Sequence, residues 1–449
     1  MIKDGSNMQT GDELTPSRYA RSPAYRWYAV GVLMLIYMCH AVDRSMPSIL
    51  TEPIRAEFGL SDAQLGLFTG VAYGLALAAF VLPMGYFSDR VHRRNFLAAI
   101  VFIWSICTAL GGFARDFWHL VITRTGVGAA EAGAAPAALP MLMDMFPARG
   151  RGLAIGMFYV SANLGAVVAS AAGGYLADHH GWRTALFVAG APGIFAALLL
   201  FFTVEEPRRG EMEEPGADGT IAPVAKARFV DVLRFIWHKP ALIFLISGCS
   251  LLGLISISLG SWAASFFVRV HGLSLSEVGL LIGIFGGLGG VVAPAVYGKL
   301  GDTLLMRNPA WPLRLVWISA IVALFSGYMM LFSPVLAIAV VGYGLGEFLR
   351  SGYPPPAYST LLNETPPHMR GTMTSIVQFT SVLIGFGLGP VMVGMLSDFY
   401  GGGVMIRYAL ATGLLVFIPV VLFLAIASRM LYGRRRDPEL PGVEAQPIA

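Results

Sequence analysis

Gly85-Tyr-Phe-Ser-Asp89-Arg90-Val-His-Arg93-Arg94 is a short basic island between two long apolar runs. A shortened version, Gly298-Lys-Leu-Gly-Asp302, returns in the second half of the chain. Two more pairs follow in the same order. Arg151-Gly152 matches Arg370-Gly371, and Gly174-Tyr-Leu-Ala-Asp178 matches Gly394-Met-Leu-Ser-Asp398. The three offsets are 213, 219 and 220 residues, so the chain reads as one unit duplicated.

The segments between these islands are apolar and long. A membrane-spanning helix needs about 20 mainly apolar residues. Such runs occur at roughly 26–50, 63–87, 94–113, 117–146, 150–177 and 182–204, then 240–269, 276–298, 312–332, 335–362, 371–397 and 405–431. The fold expected is an all-α membrane protein of twelve transmembrane helices in two pseudo-symmetric six-helix halves. The expected organisation is an N-terminal tail at 1–25, a first half at 26–204, a linker at 205–239, a second half at 240–432 and a tail at 433–449. In the linker, Phe229, Val232, Leu233 and Ile236 fall at helical spacing, which predicts a short helix lying on the membrane surface.

Composition agrees. Of 449 residues, 56% are hydrophobic and 13% charged, and the net charge is only +4. A soluble domain runs near 25% charged, so a soluble enzyme or nucleic-acid binder is excluded. Cys39, Cys107 and Cys249 all lie in apolar stretches and imply no disulfide framework. No early apolar segment suggests a cleaved leader. With the N-terminus placed in the cytosol, 23 basic residues fall in inside loops and five in outside loops. The positive-inside rule then predicts a multi-pass plasma (inner) membrane protein with both termini cytosolic.

Charge inside the membrane is costly and points to function. Of 58 charged residues, six sit deep in predicted spans: Asp43, Arg44, Arg124, Glu131, Glu347 and Arg350. They are balanced in sign and confined to spans one, four and ten. Arg124 and Glu131, seven apart, share a helix face. Glu347 and Arg350, three apart, are spaced to pair. Asp43 and Arg44 point about 100° apart and need separate partners. A crossed arrangement is expected, with Asp43 near Arg124 and Arg44 near a cavity acid or ligand. His40 lies one turn before Asp43 and is spaced to share its proton; a lipid-facing histidine is the plainer alternative. A carboxylate whose arginine is captured by an anionic ligand can take up a proton, so Asp43, Glu131 and His40 are the expected proton-coupling groups. The weaker alternative is that the six charges are ion pairs holding helices in register; buried pairs add little stability over apolar packing, which counts against it.

Duplicated six-helix halves around a midplane site are the architecture of secondary transporters. The Gly85–Arg94 stretch resembles the signature loop of the major facilitator superfamily, with His92 in place of the usual glycine. That resemblance implies a cytoplasmic gate of Gly85, Asp89, Arg90, Arg93, Arg94 and Asp144. In it Asp89 caps a helix of the other half and Arg93 pairs with Asp144. It also implies that spans one, four, seven and ten line the cavity. Ala41-Val-Asp43-Arg44-Ser-Met-Pro-Ser-Ile-Leu50 resembles the Asp-Arg element of Spinster-type transporters, with the preceding Asn-Tyr replaced by His40-Ala41. Arg124…Glu131 and Ser258-Leu-Gly-Ser-Trp262 are similar to the same group.

The resemblance implies a proton-driven carrier, with no bound cofactor or metal, for an amphiphilic anion such as a lysophospholipid or sphingoid phosphate. The binding residues are then Arg44, Arg124, Glu131, Glu347, Arg350, Ser258 and Trp262. A monomer in the lipid bilayer, without nucleic acid, is expected. A small organic-anion:proton symporter is the alternative. A drug:proton antiporter fits less well, because Gly165–Gly174 lacks the Gly-Pro of that group; Gly385-Phe-Gly-Leu-Gly389-Pro390 carries one in the other half and reads as a hinge or packing element. An enzyme is not supported: the chain has no Gly-x4-Gly-Lys-Ser/Thr, His-x4-Asp or His-Glu-x-x-His. A channel or sensor on the same scaffold is the alternative from a different class.

Overall fold

The computed structural model describes residues 19, 22–88, 90–208 and 228–433. The fold is all-α, and the described residues contain no strand. Ten helices are long and apolar enough to cross a membrane. They are spans one (Pro23–Ile49), two (Asp62–Ser88), three (Arg93–Gly111), five (Gly150–His180), six (Trp182–Thr203), seven (Pro240–His271), eight (Leu275–Leu305), nine (Trp311–Phe332), eleven (Pro367–Phe399) and twelve (Gly403–Tyr432). The remaining two crossings are broken helices. Span four runs Phe117–Glu131 and then Ala134–Met145. Span ten runs Leu336–Ser351 and then Pro354–Asn363. These are two of the three spans that carry the buried charges. Span four breaks beside Glu131, at Gly133. Span ten breaks at Gly352, where Pro354 and Pro355 cannot donate backbone bonds and can only begin a new helix.

The repeats seen in sequence have matching jobs. Arg151 Nε donates to the carbonyls of Met143 and Phe146, closing the C-terminus of span four. Arg370 Nε does the same for Leu362 and Thr365 at the end of span ten. The Gly-x-x-x-Asp elements on spans five and eleven act across the boundary between the halves. Asp398 accepts from the backbone N–H groups of Asp62 and Ala63, at 2.9 and 2.8 Å, in the first turn of span two. Asp178 accepts from those of Leu275 and Ser276, at 3.3 and 2.7 Å, in the first turn of span eight. First-turn N–H groups have no partner in their own helix, and the helix dipole favours an anion there. The glycine four residues earlier allows the approach. A Cβ on Gly394 would collide with the Asp62 carbonyl, and one on Gly174 with that of Leu275.

The halves meet along two seams, span two on span eleven and span five on span eight. At this sealed end they share a core: Met46, Ile49, Leu65, Phe68 and Trp182 cluster with Leu259, Trp262, Phe266 and Val393. Arg269 of span seven completes the seal. It grips Asp62 at 2.7 and 2.8 Å and Glu52 at 2.9 Å, with Ser397 donating to Asp62 at 2.6 Å. The bonds between the halves named above all lie at this end; at the opposite, open end the turns after spans four and ten close on their own half through Arg151 and Arg370.

The first half is tied at this open end by groups that the sequence placed in tail and linker. Tyr19 is buried and donates to the Glu205 carbonyl at 2.5 Å. Glu206 caps span three, accepting from the N–H groups of Arg93 at 3.2 Å and Arg94 at 2.6 Å. The linker helix forms at Phe229–His238. Val232 is buried and Phe235 and Ile236 pack on the core, while Phe229, Val230, Leu233 and Trp237 face outward. The apolar face expected from spacing is therefore divided between the protein and its surroundings.

Candidate functional site

The six intramembrane charges form two groups. Glu347 and Arg350 pair on span ten at 2.6 Å, and Ser351 donates to the other oxygen of Glu347 at 3.2 Å. The other four lie in the first half around Glu131. Its Oε2 accepts from the Tyr73 hydroxyl at 2.7 Å and lies 3.4 Å from His40 Nε2. Gly128, one turn before Glu131, makes this possible, because any side chain there would strike the Tyr73 backbone. Span two can then approach span four closely enough to place Tyr73 opposite Glu131. His40 stacks on Tyr37 at 5.1 Å and stands edge-on to Trp104 at 6.2 Å.

One expectation is refined and two are corrected here. Arg124 lies near Asp43, as expected, but the two side chains do not pair. Arg124 Nη1 donates at 3.0 Å to the backbone carbonyl of Asp43, and its guanidinium lies 5.1 Å from the Tyr73 ring. Asp43 is buried; its carboxyl oxygens make no hydrogen bond of good geometry, and the Thr108 hydroxyl and Trp104 indole N–H are its polar neighbours. His40 turns to Glu131, not to Asp43. Ser258 and Trp262 do not face the cavity. Ser258 donates to Leu254 of its own helix at 2.7 Å, and Trp262 Nε1 donates to the Pro390 carbonyl at 2.9 Å. Both are buried in the packing of span seven on span eleven.

Arg44 is the exposed member of the cluster. Its guanidinium rests 4.5 Å from the centre of the Phe386 ring, which belongs to span eleven of the other half. Phe386 in turn meets Tyr73 edge-on at 5.2 Å. Stacking on a ring leaves the in-plane N–H groups of an arginine free for a carboxylate or phosphate. The arrangement can therefore do two things. It offers an exposed anion-binding edge at Arg44, and it holds buried carboxyl groups, Asp43 and Glu131, in the same cluster.

Sequence reasoning missed Tyr73 and Phe386. Tyr73 is one of 16 tyrosines and carries no motif. Phe386 lies inside Gly385–Pro390, a glycine-rich stretch that reads from sequence as a hinge or packing element.

At the open end, Arg93 reaches Asp144 at 2.6 Å and Glu206 at 3.1 Å. Arg94 donates to the Val204 carbonyl at 3.2 Å, and Arg90 folds back over Tyr86. Gly85 faces open space. Asp89, expected to cap a helix of the second half, lies outside the described residues.

Comparison with known proteins bears on this geometry. The family model described as Major Facilitator Superfamily matches residues 33–390. A chain described as an MFS-type efflux pump of Mycolicibacterium smegmatis is 29% identical over 376 residues, covering 84% of this chain and 85% of its own length. Protein spinster homolog 1 of Homo sapiens is 26% identical over 418 residues, covering 88% and 76%. A crystal structure of a bacterial homologue of the human lysosomal transporter Spinster, in an inward-facing and unoccupied conformation, superposes with a TM-score of 0.79. It is 28% identical and covers 91% of this chain and 96% of its own.

Proposed function

The chain belongs to the major facilitator superfamily as a Spinster-like, multi-pass membrane transporter rather than an enzyme, and from that premise we propose that it moves an amphiphilic anion, of the lysophospholipid or sphingoid-phosphate type, by proton-coupled alternating access. The observation that carries this reading is the side-by-side placement of Arg44, whose side chain is exposed, and Asp43, which is buried with no cation paired to its carboxyl group. An anionic head group suits the guanidinium edge. Charge on a buried carboxyl with no paired cation is costly, and taking up a proton removes that cost. One residue step thus links substrate charge to proton uptake.

The excess of arginine and lysine at the open end supports placing it, and both termini, in the cytosol of a cell whose plasma or inner membrane holds the protein. The structure is then an inward-open state sealed by Arg269, Asp62 and the two reciprocal aspartate caps. Alternating access consists of releasing that seal while the Gly85–Arg94 loop closes at the other end.

Proteoliposomes test the reading directly. Uptake of oleoyl lysophosphatidate or sphingosine phosphate should saturate and should follow an imposed pH gradient. Saturable uptake of small carboxylates with no lipid uptake reassigns the chain to the organic-anion symporters. Flux that never saturates, or none for any of these anions, sinks the proposal.

A further inference from the structure

Phe386 is the point at which the second half enters the core of the first. The cluster that fills the first half draws its buried members from residues 19–204, with Phe386 the one buried addition from the second half among the described residues, and Ile257 and Val382 packed half-buried beside it. Its ring touches two functional groups at once, carrying Arg44 on its face and meeting Tyr73, the donor to Glu131, at its edge. The fit is close: a Cβ on Gly74 would lie 2.5 Å from Phe386 Cβ, and one on Gly70 would lie 2.6 Å from the Phe386 carbonyl oxygen. Four residues on, the Pro390 carbonyl packs on Gly66 and accepts from Trp262. Phe386 is therefore the inner end of the seam between spans two and eleven.

We propose that Phe386 is a positioning residue for the anionic head group. Its ring is the platform that holds the Arg44 guanidinium with its donor edge toward the cavity, and its backbone carries the state of that edge into the seam. The proposal rests on the transport reading above and deepens it by naming a specificity determinant. A long arginine side chain free in a cavity loses rotamer freedom when it binds; one already stacked loses less. Removing the aromatic face should weaken anion capture without weakening tail binding. It should also loosen the seam even with no ligand present, because the ring is shared by both halves.

Two measurements test it. The first needs no ligand. Hydrogen exchange on the full chain in nanodiscs compares wild type, Phe386→Leu, Arg44→Gln and the double variant. Each single change should speed exchange in peptides spanning 62–74 and 386–398, and the double variant should exchange no faster than the faster single one, because both changes break one contact. Wild-type exchange in Phe386→Leu, or additive effects, overturns the proposal. Should leucine prevent folding, Phe386→Met, equally apolar and more flexible, takes its place.

The second compares binding of lauroyl lysophosphatidate with that of monolauroylglycerol, which has the same tail and no charge. Phe386→Leu should weaken the phosphate ligand on the order of tenfold, the scale of a desolvated cation–π contact, and leave the neutral one unchanged. Phe386→Tyr should restore it. Equal losses for both ligands would reduce Phe386 to packing. If wild type binds neither lipid, the lipid-anion reading fails, while the exchange experiment still decides whether Phe386 and Arg44 act as one unit.

Discussion

Arg269 holds Asp62 through two parallel N–H···O bonds, at 2.7 and 2.8 Å, across the boundary between the two halves. Both side chains are almost fully buried; Glu52 takes a further Arg269 donor, Ser397 donates to Asp62, and Arg55 Nε stands 3.5 Å from it. A pair this enclosed is expensive to break by removing one partner, because the other stays buried without its main counter-charge.

Arg269→Ala should therefore destabilise the protein by about 3 kcal/mol and open the sealed end. Thermal unfolding and exchange of the 50–66 peptides measure the two effects. An unchanged melting temperature would mean that solvent already reaches Asp62.

Gly394→Ala should be far more damaging than its single methyl suggests. The new Cβ would meet the backbone of span two, which cannot rotate away, so the helices must separate and the Asp398 cap is lost. Gly31→Ala is the control, since nothing lies within 4 Å of its Cβ position. It should be neutral or stabilise by about 0.5–1 kcal/mol through helix propensity. Melting temperatures that fall equally in both would refute the close-approach argument.

Glu57 predicts a pH effect outside the membrane spans. Arg183 Nη1 at 2.6 Å and Trp182 Nε1 at 2.7 Å both donate to it and hold its carboxyl below the ordinary value of 4.5. A carboxyl depressed in the folded state stabilises above its unfolded value and loses that contribution as pH falls toward the folded one. The melting temperature of wild type should exceed that of Glu57→Gln slightly at pH 7, with the gap shrinking below pH 4.5. The gap is small because both partners are partly exposed. A gap that is constant down to pH 3 contradicts the assignment.

Asp43→Asn should uncouple uptake from the pH gradient while the protein still assembles. Arg44→Ala should instead raise the half-saturating concentration of anionic substrates. Gradient-driven uptake and binding isotherms, measured on both variants, separate the roles. Wild-type gradient dependence in Asp43→Asn would move the proton to Glu131.

Trp262→Phe should lower stability by about 1 kcal/mol, the value of its hydrogen bond to Pro390, through looser packing of spans seven and eleven. Its effect should appear in thermal unfolding. A large change in substrate affinity at full stability would return Trp262 to the binding site.

The membrane spans and their duplication were legible in sequence because the bilayer's demand is local. Each crossing must bury about 20 residues and satisfy its own backbone, so every span announces itself within its own stretch. The six deep charges were legible for the same reason: each is costly where it stands, whatever surrounds it. Helical geometry also settled neighbours on one helix, and Glu347 meets Arg350 as spacing required. Partners on different helices could not be read this way. Arg124 takes the Asp43 carbonyl and His40 takes Glu131 because helix crossing and register bring those acceptors within reach, and a backbone oxygen leaves no mark in sequence.

Tertiary structure alone also gave the repeats their meaning. Gly174…Asp178 and Gly394…Asp398 look like echoes in one chain, yet each acts on the other half, bonding donors more than 90 residues away. Sequence determined that there are two similar halves, twelve crossings and a small set of charges inside. Which end is sealed, which carboxyl lacks a paired cation and which ring supports Arg44 were decided by packing, because those contacts exist only once separate helices are brought together.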